Sequence, residues 1–264
     1  MKNKSINKTL RYALLFAGLT SLPAMAHISY GGRDFGSFTG TTAASSTISN
    51  QAATGWHGWI DGTDADWGDS HRLRAFRFHL DNDADVQISF KEQVWGTALG
   101  GIMPGFTVYK GLAHLAPLAA DYDTAPGSVA IRDTDSGGAV TEGSFRALND
   151  WRITNDNDDP ASVFTYVGHA YDGTGIDYGT GVISGADGLA DHSVSKVFHL
   201  AAGDYSIFVG GTDYFNDATP FPSLGIEGMV AVVPEPETYA MLLAGLGLLG
   251  VSVSRRRSIQ NERV

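Results

Sequence analysis

The chain is 264 residues long, lacks cysteine and carries a formal charge of −11. Without cysteine there are no disulfides, thiolate metal sites or thiol catalysis, so core packing or bound ions must hold the fold. Residues 27–233 contain 26 Asp and Glu against 10 Lys and Arg, a balance of −16. Such a body repels nucleic-acid phosphate and anionic lipid, which leaves cation binding or plain solubility.

The N-terminal segment reads first. Lys2, Lys4, Lys8 and Arg11 precede a short apolar run, Tyr12 to Leu19, and Ala24-Met25-Ala26 follows. A basic start, an apolar core and a small-residue exit predict a secretory signal helix over residues 1–26, cut by signal peptidase with Ala24 and Ala26 as recognition residues. The apolar core is too short for a permanent span of about 20 residues. Residues 27–233 then form a body the size of one domain.

Within the body, helical periodicity is scarce and period-2 alternation is common. "RAFRFHL" puts Phe76, Phe78 and Leu80 on one face with Arg77 and His79 on the other, and "VQISF" repeats this with Val86, Ile88 and Phe90. The polar Asp81–Asp85 turn between them predicts a hairpin with one buried face. The same Phe-His-Leu, turn, strand layout returns at Phe198–Val209. Gly105–Gly111, Ser162–Ala170 and Gly225–Val233 are further strand candidates. Three long loops are expected at Thr41–Ala53, Asp121–Glu142 and Asp172–Asp191. The predicted fold is all-β, an antiparallel, jelly-roll-like β-sandwich between the N-terminal signal helix and a C-terminal transmembrane helix.

Acidic loops are the first candidate chemistry. "DGTDADWGDSH" places Asp61, Asp64, Asp66 and Asp69 within nine residues. Calcium takes six to eight oxygens from carboxylates and loop carbonyls, so this loop is the expected calcium site. Asp81, Asp83 and Asp85 approach an EF-hand pattern, but Val86 stands where the glycine belongs. Turn-shaping aspartates account for both runs equally simply.

Copper is the alternative cofactor. Cleavage after Ala26 leaves His27 at the mature N-terminus, where its amine and imidazole resemble a histidine brace; His57, His71 or His79 would supply the second histidine, with His27, His57 and His71 the favoured set. Trp56-His57-Gly58-Trp59 and Trp67 with His71 are also loosely similar to surface copper-binding proteins of methane-oxidising bacteria, which use two histidines and an oxidised tryptophan. A secreted hydrolase is the third reading. Its carboxylates would come from Glu92, Glu142 and Glu227, and Trp56, Trp59 and Trp67 would either stack on sugar rings or pack the interior. "TDSGG" at Thr134–Gly138, with His114 upstream, reads as a Ser/Gly turn rather than a nucleophile.

The tail begins at Pro234. Gly245, Gly247 and Gly250 spell G-x-G-x-x-G, but they sit inside an apolar run, Tyr239 to Val253, with no βαβ context. That run predicts the transmembrane helix at about 239–253, and Arg255, Arg256 and Arg257 after it give the positive-inside orientation. Val233-Pro234-Glu235-Pro236, the apolar helix and the arginine cluster together resemble the PEP-CTERM sorting signal of Gram-negative bacteria. The resemblance covers residues 234–264 and implies recognition of Pro234, Glu235 and Pro236 by an exosortase, with the body passed outward, often in species that make exopolysaccharide. "DADWGDSHRLRAFRF" and "GFTVYKGLAHLAP" resemble uncharacterised domains that accompany this signal. "LAAGDYSIFVGG" is similar also to secreted pre-peptidase-type sandwiches. The expected protein is therefore a non-enzymatic cell-surface or extracellular-matrix protein, tethered to the inner membrane as a precursor. Cation binding, calcium first, and association with exopolysaccharide are its expected properties.

Overall fold

A computed structural model describes residues 28–60, 66–114, 130, 144–153, 162–177, 181–216, 219–233 and 246. The signal segment, the expected transmembrane helix apart from Leu246, and the 121–142 loop apart from Ala130 lie outside these residues. Twelve strands are described: β1 (Asp34–Phe38), β2 (Ala44–Thr54), β3 (Trp67–Asp69), β4 (Arg74–Leu80), β5 (Ala84–Glu92), β6 (Pro104–Lys110), β7 (Ser144–Arg146), β8 (Trp151–Ile153), β9 (Ser162–Tyr171), β10 (Ser193–Leu200), β11 (Gly203–Gly211) and β12 (Ser223–Val233).

They form a six-stranded sheet in the order β1-β4-β11-β6-β9-β8, a four-stranded sheet β10-β5-β12-β2, and a small β3-β7 ribbon. The two large sheets pack face to face, and their pairings are antiparallel apart from β1 with β4. Phe76 meets Phe90, and Phe90 meets Phe106, across the core between them. The alternation read from the sequence holds: Phe76, Phe78, Leu80, Val86, Ile88 and Phe90 are all buried.

The predicted hairpin is not one. β4 belongs to the six-stranded sheet and β5 to the four-stranded sheet, so the turn at Asp81–Asp83 is an arch between the sheets. An arch and a hairpin give the same alternation around the same polar turn, and only the strand partners separate them. The second copy is likewise an arch, from β10 to β11, and the two arches pair with each other, β4 with β11 and β5 with β10. Each copy's histidine thereby meets the other's aspartate. His79 Nδ1 lies 2.7 Å from Asp204 Oδ1, and His199 Nδ1 lies 2.9 Å from Asp85 Oδ1.

The Thr41–Ala53 loop is also overturned, because residues 44–54 form β2 and pair along β12. Its Ser, Thr and Ala side chains suit an edge strand, while Ile48 packs on the core and Ala53 is buried. The predicted 172–191 loop is irregular where described, yet it is packed down. Tyr171 Oη donates to Ile183 O at 2.6 Å, Asp172 accepts from the Asp191 and His192 backbones, and Ile183 is buried.

A second core lies on the outer face of the six-stranded sheet. Phe208 of β11 and Tyr109 of β6 meet Phe145, Trp151 and Phe164 there, with ring centroids 5.2–6.1 Å apart. The central strands of this sheet are accordingly buried on both faces.

The His79–Asp204 pair is open to solvent and gives a titration test. The hydrogen bond from Asp204 raises the His79 pKa above its usual value against a smaller desolvation effect, and the charges of Asp204 and Asp81 add to the rise. A raised folded pKa means the pair's stabilisation is fully present below the unfolded histidine pKa and is lost as pH rises through the folded one. NMR titration should place His79 above ~6.5 and Asp204→Asn should return it towards that value. An unmoved pKa in the variant would show that the pair does not form.

Candidate functional site

The Trp56–Ile60 segment lies against the end of the six-stranded sheet, and Asp66–His71 is the described part of the acidic run. Gly211 allows this approach, since a Cβ there would collide with the Trp56 carbonyl. Trp59 N donates to Gly211 O at 3.1 Å and Asp213 N to Trp56 O at 3.0 Å. Trp59 is fully buried, and its Nε1 donates to Thr107 Oγ1 at 2.8 Å. Thr107 Oγ1 in turn donates to Ala147 O at 2.7 Å. Trp59 is therefore a core residue and offers no platform to a sugar. Trp56 is half-buried against the main core, and Trp67 faces the Arg146 guanidinium, 5.1 Å from its ring centroid.

Of the four expected calcium ligands, Asp61 and Asp64 lie outside the described residues. Asp66 is buried, and its carboxylate accepts from Arg146 Nε at 2.6 Å, Leu148 N at 2.8 Å and Asn149 Nδ2 at 2.8 Å. Arg146 Nη2 closes the fork on the same carboxylate. Asp69 accepts from His71 N at 2.9 Å and from Arg72 Nε at 3.1 Å, with His71 Nδ1 at 3.0 Å. Burial pushes the Asp69 pKa up, but these hydrogen bonds and the charges of His71 and Arg72 bring it below the ordinary value. Both carboxylates thus face protein cations. Asp66 latches the segment after β7 to the stretch before β3, and Asp69 shapes the turn that leads into β4.

The copper candidates are similarly engaged. His27 lies outside the described residues. His57 is buried, its Nε2 meets Arg72 Nη1, and its ring stands edge-on to Tyr214 and Phe221 at 5.5 and 6.2 Å. Among the described residues no three His, Asp or Glu side chains converge as a metal site.

The glutamates of the hydrolase reading diverge where described. Glu92 Oε2 accepts from Gly101 N, whereas Glu227 bonds Ser49, Gln93 and Lys91 on the outer side of the four-stranded sheet. Glu227 pairs in register with Lys91 and Glu92 with Ile226, so the two carboxylates leave opposite faces. Glu142 and the Thr134–Gly138 turn are outside the described residues, and His114 is tied through its backbone to Ser162 Oγ at 2.8 Å.

The residues missed by sequence reading are Arg72 and Arg146, which decide what Asp69 and Asp66 do. Their signal was the scarcity of cations in an acidic body, since each one has many carboxylates to choose from.

The last strand supplies the remaining geometry. β12 runs between β5 and β2, inside the four-stranded sheet, and its final residue Val233 pairs with Asp85. In sequence this interior strand leads directly into Pro234-Glu235-Pro236. Residues 232–257 match the PEP-CTERM protein-sorting motif, a signal that implies processing by an exosortase and export to the cell surface. Pro234, Glu235, Pro236 and Arg255–Arg257 fall within the match, though outside the described residues.

No curated protein matches the chain. Solved structures that resemble it include the following two. One is CorA of Methylomicrobium album BG8, a surface-associated copper-binding protein, at 16% identity and TM-score 0.45, covering 78% of this chain and 99% of that one. The other is the secreted protein MopE of Methylococcus capsulatus, in which an oxidised tryptophan facilitates copper binding, at 14% identity and TM-score 0.44, covering 76% and 87%. Likeness at this level transfers no ligand to the present chain.

The Asp66 latch can be tested directly. Asp66→Asn removes the charge that faces Arg146 and should lower folding stability by roughly 3 kcal/mol in urea denaturation. A variant as stable as the parent would remove Asp66 from this structural role.

Proposed function

We propose that the protein is a non-enzymatic protein of the cell surface or extracellular matrix, tethered at the inner membrane as a precursor and freed by an exosortase. The observation that supports this most is the continuity of fold and address. Val232 and Val233 end β12 and also open the sorting motif. A cut near Pro234–Pro236 therefore leaves the four-stranded sheet complete.

The charge balance of −16 supports divalent cation binding, calcium first, and association with exopolysaccharide through shared cations. With Asp66 and Asp69 facing arginines, other carboxylates of the body would carry it. Copper held by His27, His57 and His71 is the second reading. It requires His57 to leave Arg72 and His71 to leave Asp69. A secreted hydrolase is the third.

Replacing Pro234, Glu235 and Pro236 together by alanine should leave the full-length protein in the membrane fraction of its host and deplete it from the surface and medium. Unchanged release would sink the exosortase reading. For the cation, a chelator should lower the melting temperature of the purified protein by several degrees, and added calcium should restore it. An identical melting curve with chelator eliminates calcium, and restoration by copper alone would favour the second reading.

A further inference from the structure

Beside the start of β4 lies a cavity of ≈ 240 Å³ whose polar wall is Arg33, Arg74, His71 and Ser70, with Ile28 and Phe208 contributing apolar surface. We propose that it binds a small organic oxyanion, a carboxylate or phosphate on a body of a few carbon atoms, clamped between Arg33 and Arg74. The inference is independent of the calcium reading, because it uses other residues and a ligand of opposite charge.

Lys110 and Lys196 are exposed and donate to backbone carbonyls, whereas Arg33 and Arg74 are partly buried. Arg72, Arg77, Lys91 and Arg146 each face a carboxylate. Arg33 and Arg74 have no carboxylate partner among the described residues, although acids outnumber bases 26 to 10 between residues 27 and 233. Their hydrogen bonds go to neutral carbonyls. Arg33 Nε donates to Ala75 O at 2.9 Å and its Nη2 to Ser29 O at 2.6 Å, while Arg74 Nη1 donates to Leu73 O at 2.8 Å. These bonds fix the guanidinium groups without neutralising them.

Burial lowers the pKa of both, and the charge of Arg74 lowers that of Arg33 further, yet a guanidinium stays protonated. Two half-buried like charges at one cavity are unfavourable unless an anion joins them. The guanidinium fork matches the oxygens of carboxylate and phosphate.

Ser70 also lines the cavity, although its Oγ is shielded and has no hydrogen-bond partner. The turn that carries it is set by Asp69, which accepts from His71 N through its side chain and from Arg72 N through its carbonyl at 3.1 Å.

Size and lining select the ligand's body. A volume of ≈ 240 Å³ exceeds a bare ion, as one water occupies about 30 Å³. Leu73, Ala75 and Phe208 give the cavity an apolar floor that favours carbon over bulk water.

The test uses the processed protein purified from its host, dialysed against chloride at constant ionic strength. Acetate, D-glucuronate and inorganic phosphate are the probes, read by melting temperature and calorimetry. At least one should bind saturably and raise the melting temperature by several degrees, and the responding probe distinguishes carboxylate from phosphate. Arg74→Gln should weaken that binding at least tenfold while raising the melting temperature of the ligand-free protein, because it removes one of two repelling charges. Arg33→Gln should weaken binding similarly, and Arg77→Gln, whose guanidinium pairs with Asp34, should not. The proposal is overturned if no probe saturates, or if binding survives Arg74→Gln unchanged. It is equally overturned if Arg74→Gln only destabilises the ligand-free protein, which would make the arginine structural.

Discussion

The six-stranded sheet is buried on both faces, and the rest of the body is arranged to satisfy that demand. β11 directs Tyr205, Ile207 and Val209 towards the main core and Ser206 and Phe208 towards the second. One cover is the four-stranded sheet. The other is built from connections, and a connection can cover a sheet only if its polar groups are paired. Asp66 does this for the segment after β7, Thr107 for Trp59 and Ala147, and Tyr30 for Ser206 at 2.6 Å and the Ala113 backbone at 3.0 Å. With no disulfide to hold these connections, such latches and the aromatic cluster around Phe208 fix them instead.

The parts legible in the sequence were those whose signal is local. Alternation identified β4, β5 and the apolar face of each, because burial on one side imposes period 2 whatever the partner strand is. It could not separate arch from hairpin, since both turn a polar corner between two inward-facing strands. β2 looked like a loop because its small hydroxyl residues are common to loops and edge strands, and its pairing with β12 is long-range. The second core was invisible for a related reason. Phe145, Trp151 and Ile183 are single apolar residues in irregular or very short elements, with no period to betray the face they share.

The same contrast divides the functional residues. A sorting signal is read by an enzyme as linear peptide, so Pro234-Glu235-Pro236 and the arginine cluster declare themselves by order alone. A site in the body depends on which side chains the fold brings together. The acidic run was visible, but Arg146 and Arg72, distant or unremarked in sequence, turn its two described aspartates into structural anchors. Arg33 and Arg74 carried no motif, and their significance appears only when the carboxylates around them prove to be engaged elsewhere.

Topology also relates the two functional ends of the molecule. The tail leaves at Val233, which pairs with Asp85 beside the first arch. Arg74 opens β4, and Leu80 closes it next to the same arch. Six residue steps of strand separate Arg74 from Leu80, or about 20 Å at the usual rise. The arginine-lined cavity is thus displaced along the strand from the start of the sorting motif. None of its lining residues belongs to residues 232–257, so the proposed ligand site and the sorting motif draw on different parts of the one chain.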